Sequence, residues 1–331
     1  MAAFIKVRNA IRRFLIAHEL VVQWIWHGAL VFASLYVINQ NFGYLELLNH
    51  TYVAVMISLL CAFIPLAASG AIIGTVLVLH LTQMSLDVAL VTLVLIVVGY
   101  LVCGFYRGRR SYYIMLLPVL RQFYIPYTAP MEAGLLGSIN EISSIICGAV
   151  MSFYLNDVKI NAALLIDPAD DMNALKLLLS MIQNRLFYIY VVALAAMFVV
   201  IYVIKFRKIK YAWVISVFFG VLTEFLIMLA GYTFSGLEAR VPQLVQGSLV
   251  TLVFGVLLNY FFRDLDYSRV ENVQFEDDEY YYYVKAVPKV HISVAPLRAG
   301  RSIKDALRGA AKNGKKDDAP VRSISDQDFD D

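Results

Sequence analysis

The stretch from Arg107 to Tyr154 reads RGRRSYYIMLLPVLRQFYIPYTAPMEAGLLGSINEISSIICGAVMSFY. It begins with a basic cluster and continues as apolar sequence that prolines and glycines interrupt. Three charged residues lie in its apolar part, namely Arg121, Glu132 and Glu141. Apolar sequence broken in this way at membrane depth is tolerated where it is buried in protein or lines a cavity. The stretch is therefore the predicted functional centre of the chain.

The composition of the whole chain indicates a membrane protein. Of 331 residues, 60% are hydrophobic and 16% are charged, whereas a soluble domain has about 45–50% apolar and about 25% charged residues. Runs such as 88–106 and 188–204 approach the length of about 20 residues that crosses a hydrocarbon core as a helix. The formal net charge of +3 gives no indication of nucleic-acid binding.

These runs predict an all-α polytopic transmembrane bundle of about eight spans. Residues 52–82 are either two short spans joined at Pro65 or one long kinked helix. Basic clusters precede the first span and follow the spans that end near residues 106 and 204, which places both termini in the cytosol of a cell by the positive-inside bias. The eight spans are residues 21–38, 52–65, 67–81, 88–106, 139–154, 188–204, 211–231 and 244–262.

The same charge bias constrains residues 111–155. The loop 156–185 is acidic in its first half, and basic clusters lie before and after it, so 111–155 must cross the membrane an odd number of times. One half is therefore a re-entrant element and the other a span. Ser138 and Glu141 match the S-x-x-E capping box, in which the serine hydroxyl accepts from the Glu141 amide. The same helix start could also offer its free N–H groups to an anion.

Besides Glu141, three charged residues are candidates for a substrate path: Arg121, Glu132 and Glu224. Arg121 lies inside apolar sequence, where a charge must be paired or face a cavity, and Glu132 is its expected partner. Arg121 could instead lie at headgroup depth. Glu224 lies in the middle of a predicted span and should face the bundle interior. It either has a proton- or cation-coupled role or forms a hydrogen bond to the next helix, where Gln246 and Asn259 are the expected partners.

The composition changes after residue 263, so the predicted transmembrane domain is 1–263. Residues 264–294 predict a cytosolic β-hairpin, and 295–331 a disordered charged tail. A two-stranded hairpin is marginally stable alone, so we expect it to dock on a protein partner. The docking candidates are Glu276, Asp277, Asp278, Glu279, Tyr280 and Tyr282.

Motifs of known chemistry are absent from the sequence. There is no H-E-x-x-H, no C-x-x-C and no P-loop, so neither a metal, a cofactor nor ATP hydrolysis is predicted. No nucleophile and base stand out as a catalytic pair. We therefore expect a protein that is not an enzyme.

Two segments carry a resemblance to a known group. They are GYLVCGFYRGRRSYYIMLLPVLRQFYIPYTAPMEAGLLG, which begins at Gly99, and DYSRVENVQFEDDEYYYYVKAVPK, which begins at Asp266. Both resemble uncharacterised polytopic membrane proteins of Gram-positive bacteria that are loosely labelled permease-like. The resemblance implies a bacterial membrane protein and brings no activity or site residues with it.

Two functional hypotheses follow. The first is an inner-membrane permease-like subunit without its own ATPase, whose path runs past Arg121, Glu132 and Glu141 with Glu224 opposite. The alternative is a membrane scaffold of a cell-envelope assembly complex that recruits cytosolic partners through its hairpin and tail. A permease predicts a polar cavity at mid-depth that Arg121, Glu132 or Glu224 lines, whereas a scaffold predicts that these groups are paired in a dry bundle.

Overall fold

The computed structural model describes most of the hydrophobic part of the chain and two short strands. The described residues are 8, 10–11, 13–15, 17–105, 111–166, 173–207, 211–262, 271–276 and 281–286. The basic cluster 107–110, most of the acidic turn and the tail lie outside them.

Helices form almost all of the described structure. In chain order they are α1 Glu19–Phe42, α2 Thr51–Cys61, α3 Leu66–Met84, α4 Leu86–Phe105, α5 Tyr113–Gln122, α6 Thr128–Leu136, α7 Glu141–Ile160, α8 Ala162–Ile166, α9 Ala174–Gln183, α10 Arg185–Lys205, α11 Ala212–Phe234 and α12 Val241–Phe262, with a 3₁₀ turn at Glu238–Arg240. Among the described residues, six helices are long and apolar enough to cross a membrane: α1, α3, α4, α10, α11 and α12. The predicted all-α membrane bundle is confirmed at this level.

The chain reverses at Pro65. Phe63, just after α2, lies against Trp24 near the start of α1, with 5.1 Å between ring centroids. Further along α3, the His80 ring lies 3.1 Å from Asn39 near the end of α1. Helices α2 and α3 therefore run in opposite directions, and residues 52–82 are two elements and not one kinked helix.

Two ends of the bundle can be defined from such contacts. Tyr100 of α4 donates to the carbonyl of Ala67 at the start of α3 (3.2 Å). Ser144 near the start of α7 donates to the Cys103 sulfur (3.4 Å). We call the end that carries Ala67, Cys103 and Lys205 the proximal end. The end that carries Asn39 and the last turn of α7 is the distal end.

Helices α5 and α6 form a broken hairpin, residues 113–136, inside this bundle. Gln122 at the end of α5 accepts from Lys159 at the distal end of α7 (2.9 Å). Helix α6 then returns, and Lys205 binds the carbonyls of Leu135 (3.2 Å) and Gly137 (3.1 Å) at the proximal end. The turn between the two helices contains Tyr124 with φ at 60°, a left-handed conformation that is rare for residues other than glycine.

Helix α7 follows the broken hairpin in the chain and runs from the proximal end of the bundle to the distal end. Its 20 residues cover about 30 Å at 1.5 Å per residue, enough to span a membrane. It is not among the six apolar helices because it carries serines and charged residues and packs mostly inside the protein. A helix that faces protein does not need the apolar surface that lipid demands.

Outward-facing surfaces of the long helices are apolar. Helix α4 alone exposes Leu90, Leu93, Val94, Val97 and Leu101. Aliphatic groups in such number are unusual on a soluble surface and suit contact with hydrocarbon. At the distal end, the short amphipathic α9 exposes Leu175, Leu179 and Ile182, an apolar face of the kind that interfacial helices present to a membrane.

The chain divides into two compact units, 1–263 and 264–331. In the second unit, strands β1 Glu271–Glu276 and β2 Tyr281–Ala286 pair antiparallel. Glu271 lies opposite Ala286, and Phe275 lies opposite Tyr282.

Candidate functional site

A cavity of about 610 Å³ lies at the distal tip of the broken hairpin. This volume falls within the range of about 300–1,000 Å³ found for small-molecule sites. The cavity is bounded by the turn between α5 and α6, the last turns of α7 and α11, and the first turns of α10 and α12. With the last turn of α5, five helices converge on the cavity, and two segments outside the α-helices, residues 123–127 and 237–240, also line it.

Arg121 projects into this cavity from the last turn of α5. Its guanidinium carbon lies 4.9 Å from the ring centre of Phe153 and 4.7 Å from that of Tyr190. These distances are typical of cation–π contacts, which hold the group without neutralising its charge. Its Nη1 is buried and has no hydrogen-bond partner among the residues that the structure describes.

The charges that line the cavity do not cancel. The guanidinium groups of Arg121 and Arg240 are both within electrostatic reach of Asp157. In the described lining, two cations therefore face one carboxylate. The side-chain amides of Asn156, Asn184 and Gln243 also line the cavity.

Aromatic side chains form much of the remaining wall. Tyr127 is 4% exposed and lies at the start of α6, where it forms part of the cavity lining. Its ring also packs below Gly247 of α12, where an added Cβ would come within 3.1 Å of it. The other aromatic lining residues are Tyr124, Phe153, Tyr190 and Tyr232.

Glu224 is fully buried in the middle of α11. Its Oε2 accepts a hydrogen bond from Ser248 on α12 (3.1 Å), and Tyr127 lies close to the same carboxyl group. Its Oε1 is buried without a hydrogen-bond partner among the described residues. The expected partners Gln246 and Asn259 are therefore wrong: Gln246 is exposed, and Oδ1 of Asn259 itself lacks a partner within the described part of the chain.

The expected pair of Arg121 and Glu132 is not formed. Glu132 accepts from the hydroxyl of Tyr112 (3.3 Å) at the start of α5, whereas Arg121 lies one helix length away at the distal end. The pairing fails because Glu132 on α6 lies beside the start of α5, whereas Arg121 lies in the last turn of α5.

Glu141 also lies toward the proximal end and is 1% exposed. The Glu141 amide donates to the backbone carbonyl of Ser138 (3.1 Å), and the helix start at Asn140 has no side-chain cap. The predicted capping box is therefore wrong, because the exposed Ser138 precedes the helix by a turn instead of capping it. Neither Glu132 nor Glu141 lines the cavity.

The partner-docking candidates fall mainly beyond the described residues. Glu276 and Tyr282 lie in β1 and β2, and Asp277, Asp278, Glu279 and Tyr280 lie outside the described part of the chain. The docking role stays a prediction.

Sequence reasoning missed several residues of the site. Tyr190, Arg240 and Ser248 come from three elements distant in sequence, and no local pattern brings them together. Tyr127 had a signal, because it sits in QFYIPY, where aromatic residues surround a proline at the break.

Comparison with known proteins adds no relative: no family model, curated protein or solved structure matches this chain. The functional argument therefore rests on the cavity, its unbalanced charge and the buried carboxyl of Glu224 beside it.

Proposed function

We propose that this chain is a permease-like membrane protein that binds an anionic solute in the cavity beside Arg121. The observation that carries the proposal is the position of Arg121, whose buried Nη1 has no hydrogen-bond partner among the described residues. A guanidinium group offers a planar fork of donors that matches a carboxylate or phosphate. Leaving such donors unused is costly, which favours a ligand that supplies the missing acceptor.

The size and walls of the cavity limit the class of solute. About 610 Å³ accommodates a small molecule and not a polymer. Tyr124, Tyr190 and Tyr232 give one part of the lining an aromatic character, and aromatic faces suit a ring or an apolar chain. The proposed solute therefore combines one carboxylate or phosphate group with an apolar or ring-shaped part.

The broken hairpin supports the permease-like part of the proposal. Transporters commonly build their sites from discontinuous helices, and here the break at residues 123–127 meets the cavity. Helix α6 and the packed proximal half separate the cavity from the opposite end. A transport step then requires the hairpin to move against α10 and α12, which contact it.

Charge supports an orientation for the bundle. Lys205 and Arg207 lie at the proximal end, where α4 also ends. In the sequence, three arginines follow α4, at positions 107, 109 and 110. By the positive-inside bias the proximal end is cytosolic, so the cavity opens to the outside of a bacterial cell membrane. The scaffold alternative depends mainly on residues 277–280 and 287–331, outside the described part, and it stays a prediction.

The test uses benzenesulfonate, an aromatic anion, and benzenesulfonamide, its neutral counterpart. The unfolding temperature of the purified protein in detergent is measured by tryptophan fluorescence as each compound is added. Benzenesulfonate should raise this temperature by mass action, and benzenesulfonamide should raise it less. Arg121→Gln should weaken benzenesulfonate binding about 10- to 100-fold, since a hydrogen bond to a charged group contributes about 1.5–3 kcal/mol.

Lys159→Gln is the matched control, because Lys159 is an exposed cation at the distal end that does not line the cavity. This variant should bind benzenesulfonate as the wild type does. Arg121→Lys keeps the charge without the fork and should bind with intermediate affinity. Equal binding by the wild type and Arg121→Gln, or equal binding of the sulfonate and the sulfonamide, would contradict the proposal.

A further inference from the structure

Glu224 is placed where a charged carboxylate is poorly supported. It is 0% exposed in the middle of α11; Ser248 donates a hydrogen bond to its Oε2 (3.1 Å), and the Tyr127 hydroxyl lies close to the same carboxyl group. Its second oxygen is buried and has no partner among the described residues. A carboxylate held in this way lacks both the paired cation and the full set of donors that an ionised group needs in an apolar interior.

The groups that face Glu224 from neighbouring elements are neutral. Helix α12 contributes Ser248, and the start of α6 contributes Tyr127. Tyr190 on α10 and Tyr232 on α11 lie within its electrostatic reach. Arg121 acts on these tyrosines and lies across the cavity wall from the carboxyl. Among the described residues no cation pairs with Glu224, so a proton is the simplest way to neutralise it.

We propose that Glu224 is a proton-binding site coupled to the cavity, so that the protein binds its anionic solute together with a proton. The geometry that carries the inference is the buried carboxyl with one unpartnered oxygen, placed behind a cavity wall that includes Arg121, whose Nη1 has no hydrogen-bond partner among the described residues. The inference rests on the proposed function for its coupling part. Its proton-binding part stands on the surroundings of Glu224 alone.

Tyr127 provides the route between the cavity and the carboxyl. It lies close to Glu224 and is also part of the cavity lining. A phenol can donate one hydrogen bond and accept another, so it can relay a proton between water in the cavity and the carboxyl. Tyr127→Phe removes this relay and keeps the ring, so it should slow proton exchange at Glu224 without removing the site.

The sign of the coupling follows from charge. An anion beside Arg121 lies closer to Glu224 than bulk solvent does, and its negative charge favours the protonated carboxyl. By reciprocity, a proton on Glu224 favours binding of the anion to the same extent. The solute should therefore bind more tightly as the pH falls through the range in which Glu224 titrates.

Infrared spectroscopy of the purified full-length protein tests the proton site directly. A protonated carboxyl gives a carbonyl stretch that is separate from the amide bands and shifts in D₂O. The wild type should show this band at neutral pH, and Glu224→Gln, which keeps the shape of a neutral carboxyl, should lose it. Glu141→Gln is the matched control, because Glu141 is also buried, at 1% exposure, and this variant should keep the Glu224 band.

The coupling is tested by titrating the same band with and without benzenesulfonate, whose charge is constant across the pH range. Bound benzenesulfonate should move the titration midpoint to higher pH, with each tenfold gain in affinity for the protonated form giving a shift of one pH unit. An unchanged midpoint, in protein whose unfolding temperature shows that benzenesulfonate is bound, would overturn the coupling.

The outcomes separate the two proposals. A wild-type protein without the band, or a band that persists in Glu224→Gln, overturns the proton site whether or not benzenesulfonate binds. If benzenesulfonate does not raise the unfolding temperature, the proposed function fails, and the infrared band still decides the proton site on its own.

Discussion

Arg121 and Glu224 have different surroundings, although both lie on apolar helices. Arg121 rests on two aromatic rings beside a cavity, so its charge can persist and meet a ligand. Glu224 is enclosed between α11 and α12 with one hydrogen bond, so its charge is disfavoured. The two residues therefore support two roles, a permanent cation for anion binding and a carboxyl that exchanges a proton.

The hydrogen bond from Ser248 should matter for stability. Ser248→Ala removes the hydrogen bond that Oε2 of Glu224 accepts, and an unsatisfied buried polar group costs about 1–3 kcal/mol. The variant should unfold at a lower temperature in detergent. In a Glu224→Leu background the same substitution should cost much less, because no carboxyl remains to be satisfied.

Ser216→Ala is the control for this prediction. Ser216 is also a fully buried serine on α11, but its hydroxyl donates to the carbonyl of Trp213 in its own helix (2.7 Å). Ser216→Ala should therefore lower the free energy of unfolding by less than Ser248→Ala does. If the two alanine variants unfold at the same temperature, the hydrogen bond from Ser248 to Glu224 contributes no more to stability than the hydrogen bond of Ser216 within its own helix.

At the residue scale, the sequence predicted which charged residues lie in apolar helices, but it did not predict which side chains contact them. An arginine or glutamate inside an apolar run is visible without a structure, because burying a charge is costly. The partner depends on which helices pack together, and Glu224 meets Ser248 from α12 instead of the more polar Gln246 or Asn259. Arg121 and Glu132 are close in sequence, but Arg121 lies at the end of α5, whereas Glu132 on α6 lies beside the start of α5.

The broken hairpin is the element on which the site depends. Its tip reaches the distal end because α12 allows a close approach at Gly247. A Cβ at this position would clash with the backbone carbonyl of Tyr124 and would lie 3.1 Å from the ring of Tyr127. Backbone cannot move aside as a flexible side chain can, so a residue larger than glycine must displace the tip.

Gly247→Ala should therefore damage both stability and binding. Overpacking of this kind costs about 1–3 kcal/mol, and displacement of Tyr124 and Tyr127 should weaken benzenesulfonate binding. Gly104→Ala is the matched control, since a Cβ at Gly104 on α4 meets nothing within 4 Å and alanine is the better helix former. If Gly247→Ala and Gly104→Ala unfold at the same temperature, the close approach of Tyr124 and Tyr127 to Gly247 does not contribute to stability.

The sequence predicted most elements because apolar runs of span length are a direct consequence of the hydrocarbon solvent. The interruption of the helical structure within residues 111–155 was also predictable, because the prolines and the positive-inside charge bias both indicated it. The structure places its turn at residues 123–127. Helix α7 was harder to delimit: it runs from Glu141 to Ile160 and not from 139 to 154, because polar residues in its last turn face protein and the cavity instead of lipid.

At the scale of the whole molecule, basic residues lie at both ends of the bundle, and the cavity lies at the distal end. Lys205 and Arg207 follow α10 at the proximal end, whereas Arg121 and Arg240 line the cavity at the distal end. A protein built in this way can collect an anion from one side of the membrane and hold it above a packed proximal half. This polarity could not be taken from single helices, because it depends on the directions in which α2, α3 and the broken hairpin run.

Site-directed labelling tests this arrangement most directly. Cys61, Cys103 and Cys147 are first replaced by alanine, and Gln243→Cys then places a thiol in the exposed part of the cavity lining. Ser235→Cys gives an exposed thiol at the same end of the bundle outside the cavity lining. A membrane-impermeant maleimide is added to intact cells, and the alkylation rate is measured with and without benzenesulfonate.

Both thiols should react from outside the cell, and benzenesulfonate should slow alkylation at position 243 but not at position 235. The protection should disappear when Arg121→Gln is added. A thiol at position 243 that reacts only after the cells are opened, or that reacts equally fast with and without benzenesulfonate, would contradict the account of an outward-facing anion site beside Arg121.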